Sequence, residues 1–129
     1  MYLQTTPIED IATELETMQG YLDEEVEDDI QLCAKRLEKL CNYISRAGKL
    51  VSDARYYLNQ AKEIAILKVV SEHAGMSPST VNALITAGCR NENLVYDRAD
   101  KIYKTIEKQS DNLRTIISKA KAEILNIQR

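Results

Sequence analysis

The chain has no tryptophan, no phenylalanine and a single histidine, His73. Two prolines and four glycines in 129 residues give little punctuation, and Ala, Leu, Ile, Glu, Lys and Gln, which favour helix, dominate the rest. Cysteine is sparse and odd in number: Cys33, Cys41 and Cys89 show no C-x-x-C spacing, so neither a disulfide framework nor a zinc site is expected. All three read as small buried hydrophobes in a reducing compartment. The longest apolar run, Ile64-Ala65-Ile66-Leu67, is far too short to span a bilayer, and Met1-Tyr2-Leu3-Gln4 lacks the basic start of a signal peptide. The expectation is a cytoplasmic protein with no membrane partner. Glycine-rich phosphate loops and Glu-x-x-His metal motifs are missing as well. No Ser, Cys or Asp stands at a recognisable spacing from His73, which is expected at a helix C-terminus where an imidazolium suits the dipole. No enzyme, no metal and no cofactor is expected.

What is present is charge, unevenly placed. Residues 1–29 hold ten acids and no Lys or Arg, so they carry −10. The remaining residues hold all 17 basic side chains and the other ten acids, hence +7. Such an imbalance marks an acidic interaction arm, an intramolecular charge match, or acids gathered at helix N-termini, where the macrodipole favours them.

The apolar pattern is helical throughout, and an all-α single domain over residues 1–129 is expected. Thr6-Pro7-Ile8-Glu9 has the form of a capping box with proline at the first helical position. Ile8, Ile11, Leu15, Met18 and Leu22 follow at helical spacing, and Gly20 is a plausible stop, so the first helix is placed at 7–20. From Ile30 a heptad runs unbroken. Its a positions are Ile30, Leu37, Ile44, Val51, Leu58 and Ala65; its d positions are Cys33, Leu40, Ala47, Ala54 and Ala61. This predicts one long helix over 24–73 with a coiled-coil seam, ~75 Å long, the acids at 23–29 in its first turns and Gly48 tolerated on its outer side. The alanines at d let a partner helix approach closely. Ser77-Pro78 caps a short helix over 78–87 closed by Gly88. The last helix is placed at 91–128, with a stripe of Ala99, Ile102, Ile106, Gln109, Leu113, Ile116, Ile117, Ala120, Ile124 and Ile127; Gln109 is the polar residue that either fixes register or sits at the edge of the seam. Two long helices on a short connection must lie antiparallel. The architecture expected is therefore a long coiled-coil-like hairpin with short helices beside it. A short third helix leaves apolar surface uncovered at one end, so oligomerisation, with a dimer favoured, is expected to complete the bundle.

Two surfaces are candidates for function. The acids Asp23, Glu24, Glu25, Glu27, Asp28 and Asp29 could contact a protein partner. Alternatively, Lys35, Lys39, Arg46 and Lys49 on one long helix and Arg98, Lys101, Lys104 and Lys108 on the other could form a positive strip along a nucleic-acid backbone. Tyr43, Tyr56, Tyr57, Tyr96 and Tyr103 would then be available to stack on bases. A solvated face of basic residues explains the same pattern. Ala74-Gly75-Met76-Ser77-Pro78-Ser79-Thr80-Val81 looks like the turn of helix-turn-helix regulators of the lactose-repressor type, with Ser79, Thr80 and Asn82 facing the groove. It departs from them at Ala83-Leu84-Ile85-Thr86-Ala87, which offer no Arg or Lys.

Residues 43–59, Tyr43-Ile44-Ser45-Arg46-Ala47-Gly48-Lys49-Leu50-Val51-Ser52-Asp53-Ala54-Arg55-Tyr56-Tyr57-Leu58-Asn59, resemble a family of small helical proteins carried by phages and prophages of gut bacteria. So do Ser79-Thr80-Val81-Asn82-Ala83-Leu84-Ile85, Cys89-Arg90-Asn91-Glu92-Asn93 and Asn112-Leu113-Arg114-Thr115-Ile116-Ile117-Ser118. The resemblance covers most of the chain from about residue 20. It implies a phage setting, often near recombination genes, in the cytoplasm of a bacterial host, and makes 75–79 a loop between helices; it transfers no activity and no site residue. The function expected is a non-enzymatic helical interaction protein of a phage or mobile element, binding a host or phage protein in recombination or counter-defence. The alternative is a nucleic-acid-binding accessory protein.

Overall fold

A computed structural model describes residues 4–26, 28–72 and 75–127. These form four helices: α1 (Ile8–Leu22), α2 (Ile30–Glu72), α3 (Pro78–Gly88) and α4 (Arg90–Ile127). The chain is all-α, as its periodicity predicts. No helix among the described residues is long and apolar enough to cross a membrane.

α2 and α4 pack antiparallel along most of their length. The register is visible in side-chain pairs: Arg36 reaches Gln109 near one end, and Arg55 donates to the Tyr96 hydroxyl at 3.2 Å nearer the other. The small residues in the seam do what their size allows. Ala47 and Ala54 are buried against a core that includes Ala99, Ile102 and Ile106, and a Cβ at Gly88 would stand 3.2 Å from the Ala65 Cβ, so the end of α3 lies close on α2. Gly48 sits inside α2 without interrupting it; a Cβ there would meet the Tyr103 ring at an ordinary 3.5 Å.

α1 is the third side of the core. Ile11, Leu15, Met18 and Leu22, spaced at three and four residues, bury against both long helices. This shifts the buried face of α2. The d positions Cys33, Leu40, Ala47 and Ala54 are buried as expected, but the a positions Leu37, Ile44 and Val51 are only half-buried. Arg36 and Leu50, one position before a, are buried instead, because α1 lies on that flank.

Several local expectations are corrected. α1 continues through Gly20 to Leu22, since its apolar stripe continues and burial of Leu22 outweighs the weak helix propensity of one glycine. Thr6 does not form a capping box: the N-cap is Pro7 with no side-chain cap bond, and the Thr6 hydroxyl instead accepts from Arg46. α2 begins at Ile30, not at residue 24. Asp29 stops the extension by capping: its carboxylate accepts from the backbone N–H of Gln31 at 2.7 Å and of Leu32 at 3.2 Å. The other acids at 23–28 therefore precede the helix. Cys41 is exposed, whereas Cys33 and Cys89 are buried as expected; none of the three is in a disulfide. Ser77 does cap α3, accepting from Thr80 N–H, with Pro78 at the first position, and Gly75 makes the preceding turn at φ +94°. His73 lies outside the described residues.

Candidate functional site

The acidic N-terminal helix settles between the two rows of basic residues. On one flank, Arg46 of α2 holds the Glu14 carboxylate with two bonds of 2.7 Å. This pairing raises the pKa of the guanidinium above its ordinary value, against a small opposing effect of burial. On the other flank, Ala12, Glu16 and Gln19 of α1 border Arg98 and Lys101 of α4 in a shallow groove. α1 thus lies between Arg46 and the pair Arg98 and Lys101, so the basic residues on the two long helices do not form one continuous strip there.

The segment leading into α1 is fastened to the same row. Thr6 N–H donates to Asp53 at 3.0 Å, Lys49 donates to Asp53 at 2.6 Å, and Lys49 also donates to the Gln4 carbonyl at 2.9 Å. Burial alone would push the Asp53 carboxyl up, but the bonds from Lys49 and Thr6 outweigh it and hold the group below the usual carboxylate range. Lys39 lies over the Tyr21 ring at 4.1 Å and Lys104 pairs with Asp100 at 2.7 Å. Tyr43, Tyr57, Tyr96 and Tyr103 pack half-buried against the core, which leaves Tyr56 as the exposed member of the five.

At the far end of α1, Arg36 donates to the carbonyls of Tyr21 and Leu22, both at 3.3 Å, and to the Gln109 side chain at 2.9 Å. Gln109 in turn donates to the Leu22 carbonyl at 3.1 Å. The last turn of α1 contains no basic residue, so this cation from α2 supplies the positive charge that a helix C-terminus favours. The joint places the α1–α2 connection beside the C-terminal half of α4.

That end of the bundle carries the partner-binding candidates. Asp23 accepts from Gln19 at 2.7 Å and Asp29 caps α2, so these two have structural roles. Glu24, Glu25 and Asp28 are exposed. Glu27 lies outside the described residues. Among the acids stand exposed Val26 and Leu32, which share a small recess with Glu25 and Arg36. Leu113 is the last buried residue of α4. The stripe then runs on through half-buried Ile117 and Ala120 into exposed Ile124 and Ile127, with Leu125 exposed beside it, beyond the point where α2 can cover it.

The roles of Arg36 and Asp53 are not foreseen by the sequence pattern, and Thr6 is assigned there to a cap it does not form. A signal for the first existed: the residues preceding successive a positions are Arg36, Tyr43, Leu50 and Tyr57, a second seven-residue stripe too apolar for a solvated flank. Asp53 carries no such mark. In α3, Ser79 and Thr80 share hydrogen bonds with the capping Ser77 hydroxyl, and all three are exposed. No cluster of His, Cys, Asp and Glu able to hold a metal ion occurs among the described residues. No protein-family model, no curated protein and no solved structure matches the chain.

Proposed function

We propose that the protein is a non-enzymatic helical interaction module of a phage or other mobile element, working through a protein partner in recombination or counter-defence. The observation that supports it is that one end of the bundle carries both an exposed acidic connection (Glu24, Glu25, Asp28) and the exposed apolar overhang of α4 (Ile124, Leu125, Ile127). Exposed apolar and acidic residues at the same end suit a basic amphipathic segment of another protein: apolar contact supplies affinity, and the acids supply orientation and faster encounter. The phage setting rests on the resemblance of residues 43–59 and 79–118 alone.

The test separates the two halves of that surface. One variant neutralises Glu24, Glu25 and Asp28 as amides, leaving the capping Asp29 in place. A second carries Ile124→Ser and Leu125→Ser. Partners captured from bacterial lysate by the wild-type protein are purified and titrated against all three. Each variant is expected to bind at least tenfold more weakly with its helical circular dichroism intact. Unchanged affinity in both sinks the reading.

The alternative, a nucleic-acid-binding accessory protein, would have to work with basic rows that α1 separates and whose Arg46 and Lys49 are already engaged. It predicts DNA affinity that falls steeply with salt and rises when residues 1–29 are removed, provided the shortened chain keeps its helicity.

A further inference from the structure

The other end of the bundle presents a different surface. Between Ala61 and Val70, α2 carries apolar residues on both its inner and its outer side, with Lys62, Glu63 and Lys68 among them. Ala65 and Val69 face inward, and Leu58 and Ala65 pack with Cys89 near the start of α4. On the opposite side Ile64, Leu67 and Val70 are 63%, 71% and 67% exposed, with Ile66 exposed at their edge. An exposed apolar row of this kind on a long helix is a candidate contact surface. With 3.6 residues per turn, Leu67 stands at the middle of this outer face and Ile64 and Val70 lie symmetrically to either side of it, three residues before and three after.

We propose that this outer face of α2 pairs antiparallel with the same face of a second copy of the chain, about a two-fold axis through Leu67. Three features fit a second copy. The first is symmetry: an isologous contact needs a patch that complements itself. Antiparallel pairing centred on Leu67 brings Leu67 against Leu67, and Ile64 to the level of Val70. The second is charge. Glu63, the acid on this face, comes to the level of Ser71 of the other copy and not of its own equivalent. The Ser71 hydroxyl already donates to the Lys68 carbonyl at 3.0 Å, so it can be covered without losing a bond. Lys68 lies on the flank, where its long stem keeps the ammonium in water. The third is access. α3 and α4 pack on the inner side of α2, and α3 borders the seam at the groove that Ile64 shares with Leu84, while Leu67 and Val70 stay exposed. Burial of these four side chains removes at most on the order of 400 Å² per copy, about half of a standard interface, so the association is weak and concentration-dependent.

The inference is independent of the acidic end and of the partner proposed for it. It is tested on the full chain by sedimentation equilibrium over a range from low to high micromolar concentration. Wild type is expected to pass from monomer to dimer, and Leu67→Glu to stay monomeric across the range with unchanged circular dichroism, because residue 67 faces outward in the single chain. A cysteine in place of Leu67, with the exposed Cys41 changed to serine, is expected to give a disulfide-linked dimer on mild oxidation. Ile124→Cys in the same Cys41→Ser background, at the opposite end, is expected to remain largely uncross-linked. Wild type that is monomeric throughout overturns the proposal, as does a dimer that survives Leu67→Glu or cross-links better through position 124. The last result would assign self-association to the α4 overhang.

Discussion

Arg36 on α2 and Gln109 on α4 meet at 2.9 Å, and both donate to the same acceptor, the carbonyl of Leu22 at the end of α1. Three helices are joined at one atom. The guanidinium is buried, and its Nε makes no hydrogen bond to a described residue, so the joint combines charge-assisted bonds with a desolvation cost.

Arg36→Met keeps most of the side chain's packing and removes the cation. It is expected to lower the free energy of unfolding by about 1–3 kcal/mol, and Gln109→Ala by about 1 kcal/mol. Because the two share an acceptor, the double variant should lose less than the sum. Urea denaturation of the four proteins measures this. Additivity to within ~0.5 kcal/mol would mean the two side chains act separately.

Asp53 gives the clasp on residues 4–6 a pH dependence. Its carboxyl is held below the usual range in the folded chain, so folding is favoured when it is ionised. That contribution is whole above the unfolded pKa near ~4 and is lost as pH falls through it towards the folded value. Asp53→Asn should cost about 1–2 kcal/mol at neutral pH, with the difference from wild type closing in acid. A difference that stays constant down to about pH 3 would show that the ionised form is not the one that matters.

Gly20 lies in helical conformation on the exposed side of α1, with nothing within 4 Å of where a Cβ would stand. Gly20→Ala is expected to stabilise the protein by about 0.5–1 kcal/mol and to raise the Tm by a few degrees. A lower Tm would argue for a turn at Gly20, as the sequence pattern alone suggests.

The sequence by itself determined the helices and their pairing. Apolar spacing over short range sets α2 and α4, because each residue's helical neighbours are three and four positions away. Ser77-Pro78 capped α3, since an N-cap is settled within four residues. Local signals misled where a distant contact competes for the same group. The Thr6 hydroxyl went to Arg46, forty residues away, instead of to its own helix. At the start of α2 one local signal outweighed another: the Asp29 cap set the boundary and left the acids at 23–28 outside the helix. Only the tertiary structure decided where α1 lies. Its apolar stripe fits any complementary groove, and the groove between α2 and α4 exists only after the hairpin has closed. That placement put acidic α1 beside basic residues of both long helices and buried Arg36 and Leu50, while the ends of α2 and α4 keep apolar side chains exposed among the described residues. Helix periodicity is a short-range property of the chain, whereas burial depends on what the rest of the fold leaves exposed.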